Sequence, residues 1–193
     1  MPGQTPGRDQ IIASNVFALK AMVDAAGGEA IILPIAPDRE DALAAAMAEM
    51  LKADIAVTIG GASVGDHDLV GRVGERLGLE RAFYKLAMRP GKPLIAGSLG
   101  AVPYLGLPGN PVSAIVTGHL FLVPMVKRWL GLEDVQPKRV SARLAQDVGP
   151  IGTTDAFHAR AAGRRQRHAL CAARQLAAQC AVRRQRAAGT ALG

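Results

Sequence analysis

Through roughly the first 130 residues, short β-branched runs of strand length alternate with apolar stripes of helical period, and this alternation confines the chain to one class of fold. Asn15–Ala26 sets Val16, Leu19, Met22, Val23 and Ala26 on one helical face, and Gly27-Gly28 ends the stripe. Ala30–Ile35 has strand length. Arg39–Ala53 is rich in Ala, Leu and Met; Asp38 stands before it as an N-cap, and Asp41 favours its N-terminal dipole. Ile55–Ile59 is a second strand, stopped by Gly60-Gly61. A helix over about Asp68–Leu77 leads to Ala82–Met88, then Pro93–Ala96 and Val102–Leu107 are expected strands around a Gly-Ser-Leu-Gly turn. Asn110–Leu130 has helical period, with Pro111 in the first turn and Pro124 expected to kink it. Alternation of this kind predicts an α/β fold, a doubly wound, mostly parallel sheet covered on both faces. After Gly131 the texture changes. Pro137–Val148 alternates as a single exposed strand opening a new unit, and no internal repeat is visible.

Charge separates the chain into two parts. The net +7 suggests a polyanionic partner, but residues 1–150 hold 15 Lys and Arg against 15 acids. Residues 151–193 hold eight Arg, 13 Ala and a single acid, Asp155, so the excess charge belongs to the tail. The balanced part argues against a nucleic-acid partner. Cys171 and Cys180 both lie in the tail and cannot form a disulfide framework or a metal quartet. The first residues contain no apolar core of a signal peptide. The longest apolar stretch, Val112–Val126, is 15 residues long and includes His119 and Pro124, too short and interrupted to span a bilayer. The expectation is a cytoplasmic protein with no membrane partner.

Three segments carry the chemistry. Gly60-Gly61-Ala62-Ser63-Val64-Gly65-Asp66-His67-Asp68 follows a strand and enters a helix. Glycines at Gly60, Gly61 and Gly65 let backbone N–H groups approach an anion, with Ser63 alongside and the helix dipole behind. In open α/β sheets, ligands sit at the carboxyl ends of strands, where this loop falls. Asp66 and Asp68 beside a phosphate are natural Mg²⁺ ligands, since that cation takes carboxylate together with phosphate oxygen. The plainer alternative is a glycine-rich turn whose Asp residues cap the next helix. The second segment, Lys85-Leu86-Ala87-Met88-Arg89-Pro90-Gly91-Lys92-Pro93, clusters Lys85, Arg89 and Lys92 near a strand end. It holds an anion such as phosphate, or it is a solvated surface run. The third, Leu107-Pro108-Gly109-Asn110-Pro111-Val112-Ser113, is rigidified by Pro108 and Pro111, while Gly109, Asn110 and Ser113 present groups to a ligand. Its plainer reading is an N-cap with proline at the first helical position. Together these loops point to a phosphorylated small molecule with Mg²⁺, without naming a reaction.

In this order and spacing the three segments resemble the molybdopterin molybdenumtransferase family, which includes the E domain of gephyrin. The match runs from about Gln4 to Val148. The resemblance implies Mg²⁺-dependent insertion of molybdate into adenylylated molybdopterin with release of AMP, in molybdenum cofactor biosynthesis. It implies catalytic roles for Asp38, Asp68, Lys85 and Lys92, and metal binding by Asp68 and Asp66. Cofactor contacts are implied for Gly60, Gly61, Ser63, Gly65, Asp66, Arg89, Pro108, Gly109, Asn110, Pro111 and Ser113; Arg89 stands where a Lys is often seen. The implied assembly is a homodimer in the full-length family, with molybdopterin adenylyltransferase and molybdenum enzymes as partners. The rival readings are a non-catalytic molybdopterin-binding or scaffold module, and a nonfunctional fragment.

The resemblance also implies a domain map. Residues 4–131 form the molybdopterin-binding domain, without the first strand that relatives carry upstream of Gln4–Ile12. Residues 132–150 start a truncated C-terminal β domain, and 151–193 form an aberrant Arg/Ala-rich tail without regular structure, whose composition reads as the product of a shifted reading frame or as a genuine basic, disordered extension. Loss of the first strand leaves Ile55–Ile59 with an expected unpaired edge.

Overall fold

Every helix among the described residues buries apolar side chains against a sheet, and glycines mark corners between the elements. A computed structural model describes residues 14–60 and 68–137, together with the backbone of 155–156 and 178–184. Helix α1 (Asn15–Ala25) buries Val16, Leu19 and Val23 and ends at Gly27, whose φ of +92° is the left-handed geometry glycine adopts freely. Strand β1 (Gly28–Leu33) follows, then α2 (Glu40–Met50), burying Leu43, Met47 and Met50. Strand β2 (Ile55–Ile59) is buried throughout. Next come α3 (Leu69–Arg76), β3 (Leu79–Tyr84), the short β4 (Met88–Arg89), β5 (Ile95–Leu99) and β6 (Val102–Leu107). Helix α4 (Pro111–Thr117) passes through a π-helical turn at Gly118–Leu122 into α5 (Val123–Trp129). The described strands of the tail are β7 (Asp155–Ala156) and β8 (Ala178–Arg184).

Among the described residues six strands form one sheet in the order β1-β8-β2-β6-β5-β3, and β4 pairs separately with β7. The sheet is mixed. β1, β2, β6 and β3 share one direction, and β5 and β8 run against them. Successive side chains of β2 divide between its faces. Ile55, Val57 and Ile59 join Leu19, Val23, Leu122 and Val126 under α1, α4 and α5. Ala56 faces the opposite layer with Leu43, Met47, Val70 and Tyr104, under α2 and α3. Helices on both faces make the fold doubly wound, as the alternation of elements predicts.

Three expectations are corrected. Asp38 is not the N-cap of α2: the cap position is Arg39, in extended conformation and with no side-chain cap bond. The Arg39 N–H donates to the Pro37 carbonyl at 2.7 Å, which turns the chain at Asp38 one residue too early for capping. Arg39 then reaches forward to grip Asp41 through Nε and Nη2 at 3.1 and 2.7 Å. Pro124 does not simply kink the long helix. The chain widens before it into the π-turn, where the Val123 N–H donates to the Gly118 carbonyl five residues back, and Pro124 falls in the first turn of α5.

The third correction concerns Ile55–Ile59, whose outer edge is paired. β8 runs antiparallel to both β1 and β2, with Val182 opposite Ala30 on one side and Ile55 on the other, and Cys180 opposite Ile32 and Val57. The backbone groups of a fully buried strand require partners on both sides, and an extended segment of almost any composition supplies them. The tail, expected to lack regular structure, contributes that strand. The alternating segment within 138–148 lies outside the described residues.

Candidate functional site

Because β1, β2 and β6 point the same way, the loops after them open at one edge of the sheet. Gly60 ends β2 with φ +77° and donates its N–H to the Leu107 carbonyl at 2.8 Å, so the glycine loop and the proline loop leave the sheet side by side. Gly61, Ser63, Gly65 and Asp66 lie outside the described residues.

Asp68 is held twice. Its Oδ1 accepts the Gly71 N–H at 2.8 Å and caps α3, so the plainer reading of this aspartate is realised. Its Oδ2 lies 3.6 Å from Arg81 Nη2. Arg81 was no candidate from sequence, yet it occupies the centre of the cluster: Nη2 also reaches Glu75 Oε1 at 2.6 Å, and the guanidinium carbon stands 5.7 Å from the Tyr84 ring centre. A bulge in the β3–β5 pairing explains how Arg81 and Tyr84, three residues apart, share a face. The register slips between Arg81 and Phe83, which inverts the alternation beyond Ala82. Arg81 Nε is buried without an acceptor among the described residues.

Lys85 continues the line. Its Nζ stands 4.8 Å from the other neighbour of this cluster, the Tyr84 ring, a contact worth about 0.5–1 kcal/mol at an exposed position. Lys85 is the one non-glycine residue of positive φ (67°) among the described residues, and its N–H donates to the Leu94 carbonyl at 3.1 Å. With Leu86 N–H donating to Lys92 O at 2.9 Å, the basic segment closes into a compact loop. Gly91, at φ +120°, packs where an added Cβ would meet Met88 and Thr117 at under 3 Å, docking this loop on α4. Lys85, Arg89 and Lys92 are exposed.

In the third loop Pro108 is buried and Asn110 caps α4, its Oδ1 accepting the Ser113 N–H at 3.2 Å and the Ser113 hydroxyl at 3.4 Å. Pro111 occupies the first turn, so the plainer reading holds here as well. Asn15 Nδ2 donates to the Gly109 carbonyl at 2.8 Å, fixing the loop from α1. An Asn opening a helix carries the signal of a cap, and nothing in the sequence directs it across the sheet edge. Beneath the loops, Thr58 Oγ1 and Tyr104 Oη share a buried hydrogen bond of 2.6 Å between β2 and β6. Burial pushes the Tyr104 hydroxyl up to about 12, against the lowering effect of the Thr58 hydrogen bond.

The structure thus joins Asp68 to Lys85 through Arg81 and Tyr84, and seats Gly60 beside Leu107 and Gly109 beside Asn15. Asp38 stands apart. It follows β1 at the same edge, but β8 separates β1 from β2, and Asp38 is exposed. Among the described residues no three His, Cys, Asp or Glu side chains group as metal ligands. Asp68 offers one hard oxygen ligand, which suits Mg²⁺ when phosphate oxygens complete its shell. No helix of the described residues is long and apolar enough to cross a membrane.

A doubly wound sheet with its loops gathered at the carboxyl ends of parallel strands defines an α/β domain whose ligand site is the strand-end crevice. The chain belongs to the molybdopterin-binding domain family: the family described as "Probable molybdopterin binding domain" matches residues 3–128. The chain is 39% identical over 153 residues to a molybdopterin molybdenumtransferase of a Nostoc species, covering 77% of this chain and 35% of that protein. It is 38% identical over 123 residues to the molybdopterin molybdenumtransferase of Haemophilus influenzae, covering 63% of this chain and 30% of the relative. The molybdopterin biosynthesis MoeA protein of Pyrococcus horikosii has a similar solved structure, with TM-score 0.60 and 36% identity, covering 68% of this chain and 32% of that one. The chain therefore spans about a third of the length of the relatives it matches.

Proposed function

We propose that this domain takes part in molybdenum cofactor biosynthesis, binding adenylylated molybdopterin and molybdate at the strand-end crevice and promoting molybdate insertion with release of AMP. The observation that carries this reading is the continuous line of ion-pair and cation–π contacts from Asp68 through Arg81 and Tyr84 to Lys85, at the edge where the glycine and proline loops emerge. Lys85, Arg89 and Lys92 supply positive charge toward solvent, where phosphate and molybdate arrive. Asp68, with Asp66 in the same loop, would hold Mg²⁺, which when bound offsets phosphate charge in the departing AMP. Gly60 and Gly61 provide close backbone approach, with Ser63 and Gly65 following; Pro108, Gly109, Asn110, Pro111 and Ser113 shape the opposite wall. Asp38 belongs to the same edge, from the loop after β1 on the far side of β8. A cytoplasmic homodimer that receives its substrate from molybdopterin adenylyltransferase and delivers product to molybdenum enzymes completes the proposal.

The engagement of both Asp68 oxygens, one in a cap and one against Arg81, favours a second reading in which the domain binds molybdopterin without turning it over. AMP release measured with adenylylated molybdopterin, molybdate and Mg²⁺ separates the two. Turnover that disappears in Asp68→Asn, with folding intact because Asn is an equally good cap, supports catalysis. Binding without AMP release supports the second reading, and neither binding nor release removes both.

A further inference from the structure

Resting on the assignment of Asp68 to a divalent cation, we propose that Arg81 is a built-in counter-ion that stands against the Asp68 carboxylate until a metal displaces it, and that Glu75, already its closer partner, retains the displaced guanidinium. Neither Arg81 nor Glu75 belongs to the three sequence segments; one comes from β3 and the other from α3.

The geometry is that of an arginine shared unequally between two carboxylates. Nη2 lies 2.6 Å from Glu75 Oε1 and 3.6 Å from Asp68 Oδ2, so the stronger contact is already with Glu75. Asp68 is the more enclosed acid, its side chain 17% exposed against 58% for Glu75, and Arg81 lies between at 25%. An enclosed carboxylate without a partner is costly, which accounts for the cation beside it. Asp68 Oδ1 is committed to the Gly71 N–H, leaving Oδ2, the oxygen facing Arg81, as the one with which a metal would bond. Arg81 and a metal therefore compete for one oxygen.

Two details fit exchange over a fixed ion pair. Arg81 Nε is buried without an acceptor among the described residues, so the guanidinium is not locked by a full set of bonds. The Tyr84 ring, 5.7 Å from the guanidinium carbon, provides a face along which the group shifts without losing its aromatic contact. Gly71 lets the acid and the guanidinium meet at this corner, because a Cβ there would clash with both Asp68 Oδ2 and Arg81 Nη2. Two cations repel each other, so the resident guanidinium and an incoming metal compete for Oδ2.

The test uses Mn²⁺ in the presence of AMP as the probe, so that phosphate oxygens complete the shell, with affinity read by electron paramagnetic resonance or calorimetry on the full chain and no turnover required. Removing Arg81 exposes the whole Asp68 charge, so Arg81→Gln binds Mn²⁺ roughly tenfold more tightly, taking a unit charge about 4 Å away and partly screened by solvent. Glu75→Gln deprives Arg81 of its alternative and weakens Mn²⁺ by roughly threefold or more. In an Asp68→Asn background both effects vanish, because the competition has no object. Arg81→Met provides the same test should Arg81→Gln fold poorly. Unchanged or weaker binding in the Arg81 variants, or an unchanged affinity in Glu75→Gln, overturns the counter-ion role while leaving Asp68 as a ligand. Absence of Mn²⁺ binding in every form, Arg81→Gln included, overturns the metal assignment and this inference with it.

Discussion

Val182→Pro in β8 tests the most unexpected feature of the fold. Val182 is opposite Ala30 of β1 and Ile55 of β2, in the middle of a strand with neighbours on both sides. Proline has no N–H to donate to either ladder, and central strands exclude it. The substitution removes one ladder bond and leaves a carbonyl of a neighbouring strand without its donor, a cost of about 1–3 kcal/mol. Ring crowding against the adjacent strand places the total at the upper end of that range, about 3 kcal/mol. For a chain of this size each kcal/mol is worth about 2–4 °C, so melting falls by about 6–12 °C. Val182→Thr keeps the N–H and the β-branch and serves as the control. Hydrogen exchange adds position: amides of β1 and β2 that face β8 lose protection, while those on the β6 side of β2 keep it. A variant that melts within a degree of the parent, with unchanged exchange in β1 and β2, refutes the idea that β8 closes the sheet.

Three further outcomes follow from the site. Tyr104→Phe leaves the buried Thr58 hydroxyl without its partner and destabilises the fold by about 1–3 kcal/mol at neutral pH, read by urea unfolding. Because burial raises the Tyr104 pKa from 10 to about 12, its neutral hydroxyl stabilises the folded state fully below pH 10, and this contribution is lost as pH climbs through about 12. The parent therefore loses on the order of 3 kcal/mol across that window, while Tyr104→Phe shows a shallower alkaline limb; equal limbs contradict the assignment. Asn15→Ala removes the bond to the Gly109 carbonyl, costing about 0.5–1.5 kcal/mol and loosening the proline loop, which a melting shift with faster exchange at Asn110 would register and an unchanged melt would exclude.

What was legible in the sequence follows the physics of each element. Ile55–Ile59 and Val102–Leu107 match the observed strands end for end, because a β-branched or apolar run between glycines or prolines has few alternatives. Helix α1 stops within a residue of its expected end, since Gly27 is where the left-handed turn is easiest. β8 was not legible. Its ladder is made by backbone groups that every residue carries, so Ala178–Arg184 shows no pattern to find. The bulge at Ala82 was equally silent, and with it the meeting of Arg81, Tyr84 and Asp68, because alternation places Arg81 and Tyr84 on opposite faces. Asp68 carried both its readings in its position, cap and charged site residue, and the structure shows the cap directly.

The place of β8 in the chain bears on how this protein is made. β1 and β2 leave the ribosome early, and the strand that lies between them is encoded beyond everything from 60 to 177. At ordinary elongation rates of about 5–20 residues per second, that interval is on the order of ten seconds, far longer than collapse of the parts already synthesised. Throughout it the nascent domain holds two facing rows of unanswered amides, in a cleft the width of one strand. Pairings of such long sequence separation form late and slowly. Until β8 arrives, the cleft is open to any extended segment of another nascent chain.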